Sequence, residues 1–308
     1  METTSNFSIT ILGNSAAIPT KNSHLSSQVV VNHNNYYLID CGEGTQLQLI
    51  RYKIKYHKID NIFISHLHGD HFFGLIGLLS TYHLLGREKP LNIYGPPALK
   101  LLIEMQLKVV QTKLKYELLF HELDNDNYNP IFENKDISVY SFPLVHRVPT
   151  WGFKFEQKQK KLNIKKSFVE LFNPSIEEIL NIKNGENFVC KDGAIIPNNE
   201  ITTPPQQPLS YAYCSDTRYD ISIMKYIIDV SVLYHEATFD SSMQDKAHEK
   251  FHSTARDAAN MAKNANATKL ILGHFSARNK ELTSLLAEAC VIFENTIISE
   301  EGIEYLIS

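Results

Sequence analysis

The chain has 308 residues, with 30 Lys+Arg against 34 Asp+Glu and a net charge of −4. That balance excludes a protein that holds nucleic acid by overall positive charge, though not one with a local basic patch. Hydrophobic residues at 43% and charged residues at 21% match an ordinary globular chain long enough to bury a sizeable core.

The N-terminus, METTSNFSIT, has no basic region followed by an apolar stretch, so no secretory signal is expected. No apolar run approaches the ~18 residues of a membrane span. The four cysteines, Cys41, Cys190, Cys214 and Cys290, form no Cys-x-x-Cys pair. This argues against a disulfide framework or zinc knuckle and suits a reducing cytoplasm, the expected location. Cys41 and Cys214 read as core thiols.

In chain order, Phe7–Leu12, Gln28–Val31 and Tyr36–Asp40 read as short strands, with Asn34-Asn35 as a candidate hairpin turn. Leu47, Ile50 and Ile54 predict an amphipathic helix over 43–55. Asn61–Ser65 is a strand, followed by a histidine-rich loop and a helical run from Phe72 to Leu85. Leu91–Tyr94 is a strand, Pro96-Pro97 opens a helix to about Val110, and two or three strands follow up to Phe155. The last third predicts strands at Tyr211–Tyr213, Val232–His235 and Lys269–Leu272, and helices at Ser253–Lys263 and Lys280–Cys290. Such mixing suggests a layered sheet-and-helix fold. Residues 156–188, rich in Lys, Asn and Glu, lack a long apolar face. Residues 197–208 (PNNEITTPPQQP) read as an exposed loop.

The central motif is Ser65-His66-Leu67-His68-Gly69-Asp70-His71, directly after a strand. Three imidazoles and a carboxylate in six residues are costly to bury for packing, but they suit a divalent metal such as zinc. Further candidates stand just past other strands: His146, Asp216 and His274. Taken singly each is weak, and their shared position is what joins them into one set.

The motif resembles the metallo-β-lactamase superfamily signature, His-x-His-x-Asp-His. The rest of the chain is similar to the ribonuclease Z family through Asp40-Cys41-Gly42-Glu43-Gly44-Thr45-Gln46, His235-Glu236-Ala237-Thr238-Phe239, His252-Ser253-Thr254 and His274-Phe275-Ser276-Ala277-Arg278. The resemblance implies a single αββα sandwich over 1–308, with an inserted, protruding tRNA-binding arm at 156–188. It implies two zinc ions per subunit, one on His66, His68 and His146, the other on Asp70, His71 and His274, with Asp216 bridging. It further implies removal of the 3′ trailer from precursor tRNA. Asp70 would orient or deprotonate the attacking water, His252 would act as general acid, and Glu236 would hold His252 charged.

Between residues 154 and 166 lie six lysines and one acid, Glu156. Lys158, Lys160, Lys161, Lys165 and Lys166 would contact tRNA phosphates, in a homodimer whose arm serves the partner's site. Arg278 and Lys21 would contact phosphate near the metals. No membrane partner is expected. Two competing readings are another hydrolase of the same fold, a small phosphodiesterase or thioester hydrolase, and an RNA-binding scaffold with a structural metal.

Overall fold

The computed structural model describes residues 7–124, 128–279 and 281–308. The chain forms two compact units. One comprises the described residues up to Glu156 together with Leu209–Ser308, and the other is Gln157–Pro208.

The larger unit contains two seven-stranded sheets. In spatial order, the first runs Glu304–Leu306, Phe7–Gly13, Ser27–Asn32, Asn35–Ile39, Ile59–Phe63, Leu91–Gly95 and Leu118–Glu122. The second runs Thr296–Ile298, Lys269–Gly273, Val232–Glu236, Ser210–Cys214, Thr150–Gln157, Ile137–Leu144 and Pro130–Glu133. Side chains alternate between two buried faces, as a sheet covered on both sides requires. Phe7, Ile9, Ile11 and Tyr37 of the first sheet meet Phe153, Tyr211 and Tyr234 of the second in one central core. Leu12, Val29 and Leu38 point the other way, into a second core with Leu49, Leu78 and Ile103 of the helices Thr45–Arg51, Leu75–Leu84 and Ala98–Val109. Ala212, Leu233 and Leu270 similarly face the helices Ala255–Asn264 and Thr283–Cys290. The result is an αββα sandwich. Among the described residues no helix is long and apolar enough to cross a membrane.

Several local expectations are corrected. The first hairpin turns at His33-Asn34, because Asn32 pairs with Asn35 and His33 takes φ 55°. The helix predicted over 43–55 is only Thr45–Arg51 and buries Thr45, Gln48 and Leu49, whereas Leu47 and Ile50 face outward. Packing against the sheet, not the apolar stripe, chose its inner face. The run from Phe72 to Leu85 divides into Gly69–Phe72 and Leu75–Leu84. Gly74, in the break, lies so close to Gly42 that an added Cβ would stand 2.2 Å from its carbonyl oxygen. The last predicted helix spans Thr283–Cys290, and Lys280 lies outside the described residues.

The second unit has a small core of Phe168, Ile182, Phe188 and Ile201. Its helices are Lys166–Phe172, Ile176–Lys183 and the short Asn198–Ile201, the second started by a capping box of Ser175 and Glu178. Residues 197–208 are not simply an exposed loop. Ile201 is buried, and Asn198 Nδ2 donates to Ile182 O at 2.8 Å and Glu186 O at 2.7 Å. Thr202 and Thr203 also pair with Ile164 and Asn163, and Lys165 N donates to Ile201 O at 2.9 Å, contributions too local to see as periodicity.

Candidate metal centre

The site is built at strand ends. Asp40 follows Asn35–Ile39, His66 lies three residues past Ile59–Phe63, Asp216 two past Ser210–Cys214, and His274 one past Lys269–Gly273. Asp40, Asp216 and His274 adopt left-handed backbone, with φ of 53°, 52° and 55°. Such conformations cost of order 1–3 kcal/mol each and persist where the surroundings over-determine them. Here the turns aim Asp216 and His274 into one cavity and Asp40 at the ring of His71 behind it.

The seven predicted donors fall into two groups. Ligand atoms of His66, His68, His146 and Asp216 lie within 4.8 Å of one another, as do those of Asp70, His71 and His274. His66 Nε2 is 3.0 Å from His68 Nδ1, which is 3.3 Å from His146 Nε2. Asp216 stands between the groups. Its Oδ2 is 3.5 Å from His66 Nε2 and 3.6 Å from His146 Nε2. Its Oδ1 is 2.9 Å from His274 Nε2 and 3.2 Å from His71 Nε2.

The outward nitrogens of these rings are held separately. His71 Nδ1 meets Asp40 Oδ2 at 2.6 Å, His146 Nδ1 meets Phe251 O at 3.0 Å, and His274 Nδ1 meets Thr238 Oγ1 at 3.1 Å. Each ring therefore presents one nitrogen inward while the other is fixed by an oxygen, the arrangement that orients metal-binding histidines. Asp40 is itself anchored by Ser65 N at 2.7 Å, Ser65 Oγ at 2.8 Å and Tyr213 OH at 2.7 Å.

The electrostatics fit a cation. Burial holds His66, His68 and His146 below the ordinary histidine value, His146 at about 4. These rings are neutral, with converging lone pairs. Burial opposes charge on His71 and His274 as well, but the carboxylates around them together prevail and raise both, Asp216 with Asp40 for His71 and Asp216 with Asp70 and Glu236 for His274. Asp216 and Asp70 stay ionised although burial disfavours it, because neighbouring imidazoles stabilise the charge. A buried carboxylate cluster needs positive charge. Protonated histidines supply it here, and divalent cations suit the same nitrogen and oxygen donors.

Glu236 and His252 lie beside this cluster. Glu236 is fully buried at the end of Val232–Glu236, and its Oε1 and Oε2 are 2.9 and 3.1 Å from His252 Nδ1. Thr217 N donates to Oε1 at 2.6 Å and Thr238 Oγ1 to Oε2 at 2.6 Å. Burial opposes charge on both partners, yet their attraction prevails: the carboxyl is held low and the imidazole high. His252 is not a helix cap, because Thr254 caps Ala255–Asn264.

An open cleft of about 600 Å³ reaches this centre, lined by His68, Asp70, Asp216, His252 and His274 among others. Arg278 lines it too, whereas Lys21 is exposed but not part of its lining. Lys158, Lys160, Lys161, Lys165 and Lys166 belong to the second unit. There Lys165 Nζ donates to Glu200 O at 2.6 Å, and Lys166 pairs with Glu170 at 3.5 Å. Lys154 belongs instead to the larger unit and pairs with Glu156 at 3.2 Å. Cys41 and Cys214 are buried thiols whose pKa burial raises, Cys41 to about 12. Sequence reasoning assigned no role to Asp40 or Thr238. Asp40 is the last residue of the strand predicted at Tyr36–Asp40, and an acid at a strand end was the signal that could have found it.

Residues 7–170 match a family model described as Anti-Pycsar protein Apyc1. Ribonuclease Z of Parabacteroides distasonis is 43% identical over 296 residues, 96% of this chain and 97% of the relative. Ribonuclease Z of Cytophaga hutchinsonii is 43% identical over 305 residues, 98% and 96% of the two chains. Human tRNase Z, short form, superposes with a TM-score of 0.71 at 28% identity, covering 98% of this chain and 99% of that one. The metallo-β-lactamase fold protein YhfI of Bacillus subtilis shares the fold, with a TM-score of 0.69 at 19% identity over 97% of this chain and 98% of its own. With this donor set at the strand ends of an αββα sandwich, the chain belongs to the family of that model through residues 7–170 and, over nearly its whole length, to the ribonuclease Z family, metal-dependent endoribonucleases of the metallo-β-lactamase fold.

Proposed function

We propose that the chain is a zinc-dependent endoribonuclease that removes the 3′ trailer from precursor tRNA, leaving a 3′-hydroxyl on the tRNA and a 5′-phosphate on the trailer. The observation that carries this reading is Asp216 facing two donor groups, with the Glu236–His252 pair alongside. His66, His68 and His146 would hold one ion, Asp70, His71 and His274 the other, and Asp216 both. Bound there, two divalent cations would polarise a phosphate and favour ionisation of water near neutral pH.

The protein's own groups supply positioning and proton transfer. Ala17 N donates to Asp70 Oδ2 at 2.8 Å, which fixes the carboxylate that orients the attacking water. His252 gives its proton from Nε2 to the departing ribose 3′-oxygen, since Nδ1 is held by Glu236. That assignment yields the stated termini. Arg278 meets phosphate in the cleft, and Lys21 lies on the loop that begins there. Lys158, Lys160, Lys161, Lys165 and Lys166 grip tRNA phosphates without reading sequence.

The test is to strip the protein with chelator, reload it with zinc or manganese, and count bound metal. It is then offered pre-tRNA with a 3′ trailer and a chromogenic phosphodiester. Two ions per chain and a cut at the tRNA–trailer junction are expected, with less metal in His66→Ala and Asp216→Ala. Hydrolysis of the small diester with intact pre-tRNA would mean a phosphodiesterase. Metal binding with neither activity would mean a scaffold.

A further inference from the structure

The cleft has an apolar wall that neither the donors nor the proton-transfer pair uses. Phe73 and Ile18 are 62% and 63% exposed, and both line it with His68, Asp70 and His252. A single exposed apolar side chain is ordinary on a protein surface. Phe73 differs in where it stands and how it is held. Its ring lies against Gly69, where an added Cβ would come within 2.3 Å of Cε2. Its amide donates to Gly69 O at 3.0 Å, and its ring meets the buried Phe72 edge-on, with centroids 4.9 Å apart. The ring is thus tied to the turn that carries His68 and Asp70. Arg147 and Arg278, both exposed, line the same cleft. A held aromatic ring in a cleft that also presents guanidinium groups is one way proteins bind unpaired nucleotides: cations take the phosphates and the ring takes a base.

We propose that Phe73 is a stacking platform for the base of the first trailer nucleotide, a subsite that rests on the endoribonuclease reading above. The trailer runs on past the paired acceptor stem as a single strand, so its bases are free to splay out and stack. Stacking tolerates any base, which suits an enzyme that meets trailers of many sequences.

The test is a kinetic cycle. Wild-type, Phe73→Ala and Phe73→Trp enzymes are given pre-tRNA with either a normal or an abasic first trailer nucleotide, after metal content and melting temperature are verified. On the normal substrate, Phe73→Ala should raise KM by roughly five- to 150-fold, the range for removing a base-stacking aromatic. The loss should fall in KM more than in kcat. The abasic substrate should impose a similar loss on wild type and little more on Phe73→Ala, and Phe73→Trp should restore KM on the normal one. A wild-type KM in Phe73→Ala, or losses that multiply, would overturn the subsite while wild type still cuts. If wild type leaves both RNAs intact, the endoribonuclease reading falls and the subsite with it.

Discussion

Replacing Thr238 with valine removes one hydroxyl at little change in shape, and the structure sets what should follow. Thr238 is buried, and its Oγ1 lies 2.6 Å from Glu236 Oε2 and 3.1 Å from His274 Nδ1. It has one proton. The contact to the carboxylate is the shorter and is charge-assisted, so the proton goes there. The oxygen's lone pairs then accept Nδ1–H of His274, which leaves Nε2, 2.9 Å from Asp216 Oδ1, as the nitrogen turned toward the metal centre. One hydroxyl therefore holds both a proposed metal ligand and the partner of the proposed acid. Valine loses the bond to the carboxylate and leaves a buried N–H without an acceptor, together about 3 kcal/mol. Partners of this kind typically cost 10–100-fold in metal affinity or activity when removed. The assay is metal retention against graded chelator, with kcat on pre-tRNA measured beside it. Thr238→Ser keeps the oxygen and should recover both properties. Wild-type metal retention and turnover in the valine variant would refute the reasoning, as would a serine variant just as impaired.

His252→Ala should keep its metal by elemental analysis yet lose most turnover, and near-normal cleavage by the metal-replete variant would remove the acid assignment. Burial disfavours charge on His252, but Glu236 more than compensates and raises its pKa above 6.5. The acid must be protonated, so activity should fall as pH rises through that raised value. Glu236→Gln removes the raising partner and keeps the burial, so the alkaline limb of the profile should move to lower pH; an unmoved limb would contradict the pairing. Because Glu156 pairs with Ser210 across antiparallel strands, the register sets Gln157 opposite Leu209, and a two-residue Asn-Gly turn can replace residues 158–208. That variant should cleave a small phosphodiester but lose pre-tRNA cleavage, and equal loss of both would mean that the segment serves folding. If the arm acts across a homodimer, mixing this variant with His252→Ala should restore pre-tRNA cleavage after subunit exchange, and no recovery would place the arm's action within one chain.

The sequence alone was enough to pick out the candidate donors and group them at strand ends. Strands repeat every two residues and end at turns, so an acid or imidazole just past an apolar run is visible without coordinates. The resemblance then implied the division of the donors between two ions. The tertiary structure supplied what holds them. Thr238 meets His274 across 36 residues, and Asp40 meets His71 across 31. Phe251 holds His146 through a backbone carbonyl, which every residue possesses and no sequence advertises. The opening charge balance has the same outcome. Composition argued against general affinity for nucleic acid, and a run of lysines at 154–166 suggested one basic patch. Folding sent Lys154 to a strand of the larger unit and its neighbours from 157 onward to the second unit. Spacing determined which residue types stand at the strand ends, because it follows from local backbone period. Strand register and long-range packing decided which atoms meet there, because those depend on the whole chain closing at once.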